Sequence, residues 1–373
     1  MNFLVVASSN ESILNFRKEL ILEIQSQGFD MVIVAPNISA SPRLLEFLAS
    51  NNMTYFDLDM NRSSMSLISE VVYFFKLFSL IVKIKPFGLL SYTIKPNTYG
   101  MLAAFLCRVP VKIAMVTGLG YIFRSEKNTW IIRLVKKLYG VALKRADIVF
   151  FQNTDDQSTL LGLGVTSEKT NTICVNGSGV NLQHFEKMPL PDTPSLNFLM
   201  IGRLLTAKGV NEFVQAAIKA NSIFPNAQFT LLGWRDDSLE SISEDDMELI
   251  EHSDFIRLLP KVHDVRPILH DCHVFVLPSY HEGLPRSVIE AMAVGRPIIT
   301  TDAPGCRDTV KEGFNGYMVK TKSSDELFTA MEKFILYPAE AKRMSDNSRI
   351  LAEDKFDVRK VNSAMLSEIK KYF

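Results

Sequence analysis

Cysteine is scarce in this sequence, and the cysteines present are far apart. Of 373 residues only four are cysteine, namely Cys107, Cys174, Cys272 and Cys306, and none forms a C-x-x-C pair. The spacing therefore predicts neither a structural zinc site nor a disulfide-stapled secreted domain. A reducing, cytoplasmic compartment is the simplest expectation.

Uninterrupted apolar segments long enough to cross a bilayer are also lacking. The most apolar stretch, residues 71–90, is interrupted by Lys76, Lys83 and Lys85 and closes with a proline and a glycine. Because a spanning helix needs about 20 mostly apolar residues, we do not expect this stretch to cross a membrane. The N-terminal MNFLVVASS has no basic residue and too short an apolar run for a signal peptide, so it predicts a first buried strand.

Low-complexity tracts and internal repeats are absent as well. Hydrophobic residues make up 47% of the chain and charged residues 22%, which is typical of a globular protein. A chain of 373 residues exceeds one ordinary core and fits two domains.

The formal net charge is zero, but the charges are unevenly distributed. Residues 1–190 contain 19 lysines and arginines against 14 acids, and residues 71–146 contain 13 bases and a single acid, Glu126. A positive surface on one half of the protein indicates an anionic membrane surface or substrate. Nucleic acid would suit the same sign of charge, but no nucleic-acid-binding motif is found, so we do not expect it as a partner.

The stretch KNTWIIRLVKKLYGVALKRAD, residues 127–147, intersperses cations among aromatic and aliphatic residues. Such an amphipathic helix suits the headgroup layer of an anionic membrane, where each base adds about 1 kcal/mol. A surface helix whose apolar stripe packs on its own sheet would show the same pattern. The sequence leaves both interpretations open.

Near-continuous apolar runs alternate with helical stretches along the whole chain. The clearest are FLVVAS, MVIVAP, FGLLSYT, VKIAMVTG and DIVFFQ in the first half and LNFLMIG, QFTLLG, VFVLPSY and PIITT in the second. Parallel sheets covered on both faces produce this pattern, so we expect two doubly wound α/β domains. Pro189, Pro191 and Pro194 predict a boundary between domains 1–188 and 189–354. The cleft between such domains is a preferred ligand site.

A first candidate site is IGRLLTAKGV, which follows a predicted strand and opens a helix. Gly202 would let the backbone turn tightly, and Arg203 and Lys208 would offer two cations near a helix N-terminus. A pyrophosphate would be well held there. A solvated arginine and lysine beside a turn is the alternative.

A second candidate site is SYHEGLPRSVIEAMAVG, in which Glu290 lies in an otherwise almost wholly apolar helix. Pro285 predicts the first turn of that helix. Glu282 and Glu290 would lie roughly 80° apart around it, so both could face one cleft. Ligand hydroxyls would satisfy the Glu290 carboxylate. The alternative is a structural carboxylate paired with a buried arginine or with backbone amides.

Together these motifs resemble the donor site of glycosyltransferase family 4. The similarity covers Gly202-Arg203, Lys208-Gly209, the Glu282/Glu290 pair and AMAVGRPIITTD, and spans most of residues 196–320; NGSGVNLQHF is similar to a further family segment. The resemblance implies the GT-B fold, in which two Rossmann-like domains face a central cleft. It also implies that a last helix, residues 355–373, crosses back to the first domain.

The N-terminal half resembles a narrower bacterial group through ILNFRKEL, IKPNTYGMLAA and VTGLGYIF. These stretches are similar to α-1,3-N-acetylgalactosaminyl- and related hexosyltransferases that act on undecaprenyl-diphosphate sugars of O-antigen or glycoprotein-oligosaccharide assembly. The resemblance implies a retaining enzyme that uses a UDP-sugar, carrying GalNAc or another hexose or HexNAc. Its acceptor would be a polyprenyl-diphosphate-linked sugar at the inner face of the cell membrane.

The resemblance also implies roles for the donor-site residues. Arg203 and Lys208 would neutralise the donor diphosphate, and Glu282 would contact hydroxyls of the donor sugar, which makes these three the catalytic candidates. Glu290 would accept hydrogen bonds from the ribose. Further donor contacts are expected from Gly202, Val262, Gly283 and Leu284, and acceptor contacts from Asn10, Lys95 and Gly118; a surface lysine at a strand end is the alternative for Lys95.

The sequence departs from the family's pattern in two places. The first loop, ASSNES, has no glycine pair, and VTGLG stands where many members carry a catalytic-site histidine. His281 is the histidine nearest the motif, and we expect it at the edge of the cleft. A front-face retaining mechanism, in which the donor phosphate takes the acceptor proton, remains compatible, because it needs positioning and charge stabilisation more than a protein base. We expect the enzyme to be independent of a metal.

Three alternatives stay open at this stage. Asp57 and Asp59 have the D-x-D spacing with which a GT-A glycosyltransferase holds a divalent metal, although two solvated acids would look the same. A UDP-sugar 2-epimerase would use a similar two-domain frame. A non-catalytic nucleotide-sugar-binding protein would explain the missing histidine and glycines.

Overall fold

The computed structural model describes residues 1–60, 66–120, 123, 129–166, 170–193, 195–235 and 240–373. Pro194, Glu126 and the Tyr121-Ile122 part of VTGLGYIF lie outside the described residues. The chain divides into two compact units. The first contains Met1–Ser178 and Val361–Phe373, and the second contains Gly179–Lys360.

The first unit is built on a parallel sheet of seven strands in the order β3-β2-β1-β4-β5-β6-β7. The strand order reverses between β1 and β4, which pair in register from Phe3 with Gly88 to Val6 with Ser91. The strands are β1 (Asn2–Val6), β2 (Asp30–Ala35), β3 (Thr54–Asp57), β4 (Gly88–Tyr92), β5 (Val111–Val116), β6 (Ile148–Phe151) and β7 (Asn171–Cys174).

Helices cover both faces of this sheet, because its central strands bury apolar side chains on either side. On one face, α1 (Lys18–Gln25) and α2 (Pro42–Ser50) share a core with Phe3 and Val5. A short turn, Asn10–Ser12, and a π-helical turn, Ile13–Arg17, lead into α1. The other face carries α3 (Leu67–Ile84), α4 (Ile94–Leu106), α5 (Trp130–Leu143) and α6 (Thr154–Gly162).

The second unit repeats the architecture with six parallel strands in the order β10-β9-β8-β11-β12-β13. The strands are β8 (Asn197–Ile201), β9 (Gln228–Leu232), β10 (Ile256–Leu259), β11 (Val274–Leu277), β12 (Ile298–Thr301) and β13 (Gly316–Val319). Its helices are α7 (Val210–Ile223), α8 (Glu244–Glu251), α9 (Arg266–His270), α10 (Arg286–Val294), α11 (Ser324–Leu336) and α12 (Pro338–Leu351). The expected pair of doubly wound α/β sheets is therefore confirmed.

The second unit begins earlier in the chain than the proline-rich segment predicted. We expected a boundary after residue 188, whereas Gly179 already belongs to the second unit. The reason is a fully buried arginine, Arg296, whose guanidinium donates to the carbonyl oxygens of Met188 at 3.2 Å and Pro189 at 3.1 Å. Arg349 likewise donates to the carbonyl oxygen of Phe185 at 2.9 Å.

The last helix, α13 (Val358–Ile369), passes from one unit to the other in sequence. It begins three residues later than the expected segment 355–373, and from Val361 onward it belongs to the first unit. Val361, Met365 and Ile369 lie in the core that α1 and α2 share with the sheet.

Among the described residues, no helix combines the length and the apolar character that crossing a membrane requires. The apolar stretch 71–90 forms most of α3 and the start of β4.

Candidate functional site

The candidate donor residues lie where the strand order of the second sheet reverses. Gly202 and Arg203 follow β8, and Ser279 and Glu282 follow β11, the strand that pairs with β8. In a doubly wound sheet, the connections after two such strands run in opposite directions. This leaves a crevice at the carboxyl ends of the strands, which is the usual ligand site of the fold. Two motifs that are distant in sequence are therefore brought to one place.

Lys208 and Glu282 form an ion pair at this crevice. The lysine Nζ donates to Glu282 Oε1, and Ser279 Oγ donates to the same carboxylate oxygen at 2.8 Å. The lysine side chain is 24% exposed and the glutamate side chain 13%. Both charges are thus mostly removed from solvent, but a ligand that enters the crevice can still reach them.

The turn that positions Lys208 requires Gly209 and not Gly202. Gly209 has φ +75°, and a Cβ atom there would overlap the carbonyl group of Pro278. At Gly202 a Cβ atom would meet nothing within 4 Å. The chain bends at Gly202, but the bend does not require a glycine there. The open space beside its backbone is a separate property that a bound ligand can use.

Glu290 is paired with Arg286, which the sequence analysis did not single out. Arg286 Nε donates to Glu290 Oε1 at 2.8 Å, and its NH1 donates to the carbonyl oxygen of Gly179. The side chains are 19% and 16% exposed, so Glu290 is less buried than its apolar neighbours predicted. The i,i+4 spacing of Arg286 and Glu290 was the signal available in the sequence.

The helix that carries this pair begins one residue after the expected Pro285. Pro285 is the N-cap, with extended backbone, and Arg286 is the first residue of α10. Val288, Ile289 and the residues from Ala291 to Val294 are buried, as the apolar pattern predicted. Glu290 lies between these buried positions.

The loop that holds Glu282, Gly283 and Leu284 packs against Gly305, which the sequence did not lead us to expect there. The Glu282 backbone N–H donates to the carbonyl oxygen of Pro304 at 3.0 Å. Gly305 has φ +73°, and a Cβ atom there would overlap the carbonyl groups of Glu282 and Gly283. The stretch following β12 therefore fixes the path of the loop.

Two groups beside the pair are held in their protonated forms. Burial, and then the nearby Glu282 charge, raises the pKa of the Cys306 thiol to about 12. Burial, together with the hydrogen bond that its hydroxyl donates to Glu212 at 2.7 Å, raises the pKa of Tyr280 well above its usual range. Neither group is suited to act as a base or nucleophile at neutral pH.

The other donor candidates lie further out. Arg203 is exposed directly after β8, and His281 is half-buried next to Glu282. Val262 follows the edge strand β10 and packs partly against the core of the unit. The neighbouring Lys261 lies over the Trp234 ring, 4.7 Å from its centroid.

The acceptor candidates gather at the corresponding edge of the first sheet. Asn10, Lys95 and Gly118 follow β1, β4 and β5, which are neighbours in the sheet. Asn10 donates to the carbonyl oxygen of Asn37 at 2.7 Å, and Lys95 Nζ pairs with Glu70 Oε1 at 2.5 Å. Lys95 is therefore a partly buried member of an ion pair at the start of α4, and not a solvated lysine at a strand end.

A buried cation at this edge was not predicted. The Arg17 guanidinium lies 4.2 Å from the centroid of the Tyr92 ring, and the two residues are 5% and 3% exposed. The Tyr92 hydroxyl forms no hydrogen bond with any residue that the structure describes, and burial raises its pKa to about 12. An arginine on the apolar face of ILNFRKEL was the available signal.

Asp57, the first residue of the D-x-D pair, has a structural explanation. Asp57 accepts hydrogen bonds from the backbone N–H groups of Ile38 and Ser39, the latter at 3.1 Å. Burial acts to raise the pKa of Asp57, but the hydrogen bonds from the Ser39 side chain and from these two backbone N–H groups lower it below its ordinary value. Over the described ranges, no three His, Cys, Asp or Glu side chains are grouped so that they could hold a metal ion.

The chain thus has two Rossmann-like units, the second with a lysine–glutamate pair at its reversal point, and this fold and the family matches below are those of GT-B glycosyltransferases. Residues 183–350 match the family "Glycosyl transferases group 1", and residues 4–153 match "Glycosyl transferase 4-like". This chain belongs to the glycosyltransferase family that these two matches describe. The expected resemblance and fold are confirmed.

Relatives with named activities cover most of the chain. It is 30% identical to the N,N'-diacetylbacillosaminyl-diphospho-undecaprenol α-1,3-N-acetylgalactosaminyltransferase of Campylobacter jejuni, over 86% of each chain. It is 27% identical to the UDP-Gal:α-D-GlcNAc-diphosphoundecaprenol α-1,3-galactosyltransferase of Escherichia coli, over 83% of this chain and 80% of the relative.

Solved structures share the fold at lower sequence identity. The Anabaena protein HepE in complex with UDP superposes over 100% of both chains with a TM-score of 0.77 and 16% identity. The sucrose-phosphate synthase of Thermosynechococcus elongatus has a TM-score of 0.78 and 16% identity, over 100% of this chain and 99% of that one.

Proposed function

We propose that this glycosyltransferase moves a sugar from a UDP-sugar to a polyprenyl-diphosphate-linked sugar, with retention, in the assembly of O-antigen or a related surface polysaccharide. The observation that carries the proposal is the Lys208–Glu282 pair at the reversal point of the second sheet. The names of the Campylobacter jejuni and Escherichia coli relatives support an undecaprenyl-diphosphate acceptor, and they favour GalNAc or galactose as the transferred sugar.

The donor diphosphate would lie between Arg203 and Lys208. Two cations neutralise the charge that grows on the diphosphate oxygen as its bond to the anomeric carbon breaks. Lys208 would exchange part of its contact with Glu282 for the phosphate, because an ammonium group has three donors. Glu282 would then accept hydrogen bonds from hydroxyls of the donor sugar, and the Gly283 and Leu284 backbone would border the same subsite.

The acceptor proton would leave without a protein base. The acceptor hydroxyl oxygen forms the new bond to the anomeric carbon on the face from which the diphosphate departs, and its proton passes to the departing phosphate oxygen. Positioning and charge stabilisation then supply the catalysis without a metal ion.

Glu290 would bind the ribose of the donor with one oxygen. Arg286 occupies Oε1, and none of the residues in the described ranges forms a hydrogen bond to Oε2. A ribose hydroxyl would donate to Oε2, and Arg286 would hold the carboxylate in place. Gly202 would border the nucleotide closely, since no atom lies within 4 Å of the position that a Cβ atom would take there. The Val262 backbone would contact the base.

The acceptor would bind at the carboxyl edge of the first sheet, near Asn10, Lys95 and Gly118. Because the lipid of such an acceptor lies in the membrane, the enzyme would work as a peripheral protein at the inner face of the cell membrane. The exposed Trp130, Leu134 and nearby cations of α5 suit an anionic membrane surface. Nucleic acid is not a partner in this proposal.

The test measures transfer of radiolabel into lipid. Purified protein is incubated in EDTA with membrane lipid extract and UDP-GalNAc, UDP-Gal, UDP-GlcNAc or GDP-mannose. We expect one donor to label the organic phase, and we expect Glu282→Gln and Lys208→Ala to lower the rate at least about 100-fold. Lys219→Ala, which breaks an exposed ion pair with Asp325 in the same unit, should leave the rate unchanged.

Three results would contradict the proposal. Label that appears only after manganese is added would restore a metal role for Asp57 and Asp59. Donor turnover without any acceptor would indicate a 2-epimerase. UDP binding with no transfer from any donor would indicate a nucleotide-sugar-binding protein.

A further inference from the structure

Helix α3 exposes an unusual number of large apolar side chains. Along its outer side, Ile68 is 79% exposed and Phe75 is 62% exposed. The exposed apolar residues of α3 are Leu67, Ile68, Val71, Val72, Phe75 and Val82, which we call the outer face of α3. Exposed apolar residues gathered in this way mark an interaction surface.

The outer face is separate from the side of α3 that stabilises the fold. Tyr73, Leu77 and Ile81 are buried in the core beneath the helix and recur at helical spacing. Ile68, Val72 and Phe75 recur at the same spacing on the other side. The helix therefore has two apolar sides, of which only one has a partner in the described chain.

The neighbouring helix also exposes apolar side chains. Phe105 and Leu106, at the end of α4, are 43% and 59% exposed. Helices α3, α4 and α5 cover the same face of the first sheet. The outer face of α3 thus belongs to the same helical layer as α5, the helix that its sequence pattern had suggested for membrane contact.

The charges on α3 have one sign where they face solvent. Lys76 and Lys83 of α3 are exposed, and so is Lys85, which directly follows the helix. The only acid in the sequence of α3, Glu70, has a side chain that is 15% exposed and is paired with Lys95. An exposed apolar stripe flanked by lysines and lacking an exposed carboxylate is complementary to anionic headgroups over acyl chains.

We propose that the outer face of α3 is the main membrane-binding surface of this protein, and that its partner is the anionic lipid bilayer itself. The inference deepens the proposed function, because a polyprenyl-linked acceptor brings the enzyme to such a bilayer. Helix α3 lies in the plane of the interface, with Ile68 and Phe75 among the acyl chains and the lysines at the phosphates. Trp130, Leu134 and Val141 of α5, at 61%, 41% and 42% exposed, add a second and smaller contact.

The test is sedimentation of the purified full-length protein with vesicles, in the absence of any sugar nucleotide. Vesicles are equimolar phosphatidylcholine and phosphatidylglycerol, or phosphatidylcholine alone. We expect binding to the anionic vesicles, and we expect the double variant Ile68→Ser/Phe75→Ser to bind about tenfold more weakly or worse. Leu134→Ser should cause a smaller loss, and Ile223→Ser, a matched control that is 54% exposed in the second unit, should cause none.

Charge and fold are checked separately. Lys76→Glu/Lys83→Glu should weaken binding to anionic vesicles and reduce its dependence on salt. Circular dichroism and the thermal midpoint should match those of the wild type, since all four residues are exposed. If either double variant misfolds, the single variants Ile68→Ser and Lys76→Glu carry the same comparison.

Several outcomes would overturn the inference. Wild-type binding that survives Ile68→Ser/Phe75→Ser would place the membrane contact elsewhere. A dimer in solution that these substitutions convert to a monomer, with vesicle binding unchanged, would identify a second copy of the chain as the partner. Because no donor or acceptor sugar is present, a failure of the proposed transfer reaction leaves this result unaffected.

Discussion

Arg286 links the most distinctive acid of the motif to the beginning of the second unit. It pairs with Glu290 through Nε and donates to the carbonyl oxygen of Gly179 through NH1. A lysine could make only one of these contacts in the same geometry, because the two bonds use the fork of the guanidinium group. Arg286 is therefore a positioning residue for Glu290 in the proposed reaction.

We expect Arg286→Ala to raise the KM for the nucleotide sugar about tenfold, the equivalent of about 1.4 kcal/mol, with a smaller change in kcat. The physical reason is that Glu290 loses the partner that orients it toward the ribose. Steady-state kinetics at saturating acceptor measure the two constants, and Arg286→Lys should recover part of the loss. A fall in kcat at constant KM would show that Arg286 acts on the transfer step instead.

His273 is a buried histidine whose hydrogen bonds suit only its neutral form. Its Nδ1 accepts from the Asn197 backbone N–H at 3.1 Å, and its Nε2 lies 3.1 Å from the carbonyl oxygen of Pro191. Burial lowers its pKa below the ordinary value of 6.5, although the Pro191 contact acts in the opposite direction. Burial also lowers the pKa of His270.

We expect the second unit to lose stability as the pH falls below 6.5. Below that pH the histidine of the unfolded chain takes up a proton, while the histidine of the folded protein does not. The free energy of unfolding therefore falls with the pH until the pH reaches the lowered pKa of the folded state. Urea unfolding at several pH values measures the free energy of unfolding, and His273→Gln should flatten its pH dependence. An unchanged slope in that variant would rule out His273 as the source.

At the level of the elements, Arg296, two residues before β12, attaches the segment before β8 to the rest of the second unit. Arg296 immediately precedes Pro297 and Ile298, and it is fully buried. It donates to the carbonyl oxygens of Leu269 at 2.8 Å and His270 at 3.3 Å as well as to those of Met188 and Pro189. One side chain thus joins α9, β12 and the segment before β8.

We expect Arg296→Met to lower the free energy of unfolding by about 3–5 kcal/mol. The substitution keeps most of the side-chain volume, but it leaves buried carbonyl groups without donors. Chemical denaturation followed by tryptophan fluorescence measures the loss. The control is Lys320→Met, which removes an exposed partner of Glu326 and should cost less than about 1 kcal/mol. Equal effects in the two variants would contradict the structural role of Arg296.

The elements that the sequence predicted best are the central strands. FLVVAS and VFVLPSY are apolar at nearly every position because both faces of β1 and β11 are covered. The strands β7 and β13 were missed. They are edge strands of only four residues each, NTIC and GYMV, which are too short to give a clear apolar pattern. The pattern also could not show which sides of α3 are covered, because it is apolar on two sides.

In the whole molecule, the chain forms two units and returns to the first with its last helix. The prolines 189, 191 and 194 predicted a change of unit after residue 188, but they did not mark it. That change occurs before Gly179, because buried hydrogen bonds attach the intervening segment to the second unit. Such bonds join residues more than 100 positions apart, as Arg296 and Met188 are, so no local pattern reports them.

The sequence by itself determined the family and the doubly wound sheets, and it supplied the candidate donor-site residues, since these depend on local periodicity and on short motifs. The tertiary structure decided which of those residues meet: it paired Lys208 with Glu282 and Glu290 with Arg286, and it assigned the required turn to Gly209. It also left one side of α3 open to solvent. The physical reason is that ion pairs, backbone overlap and burial depend on distances between segments far apart in the chain, which only the folded packing sets.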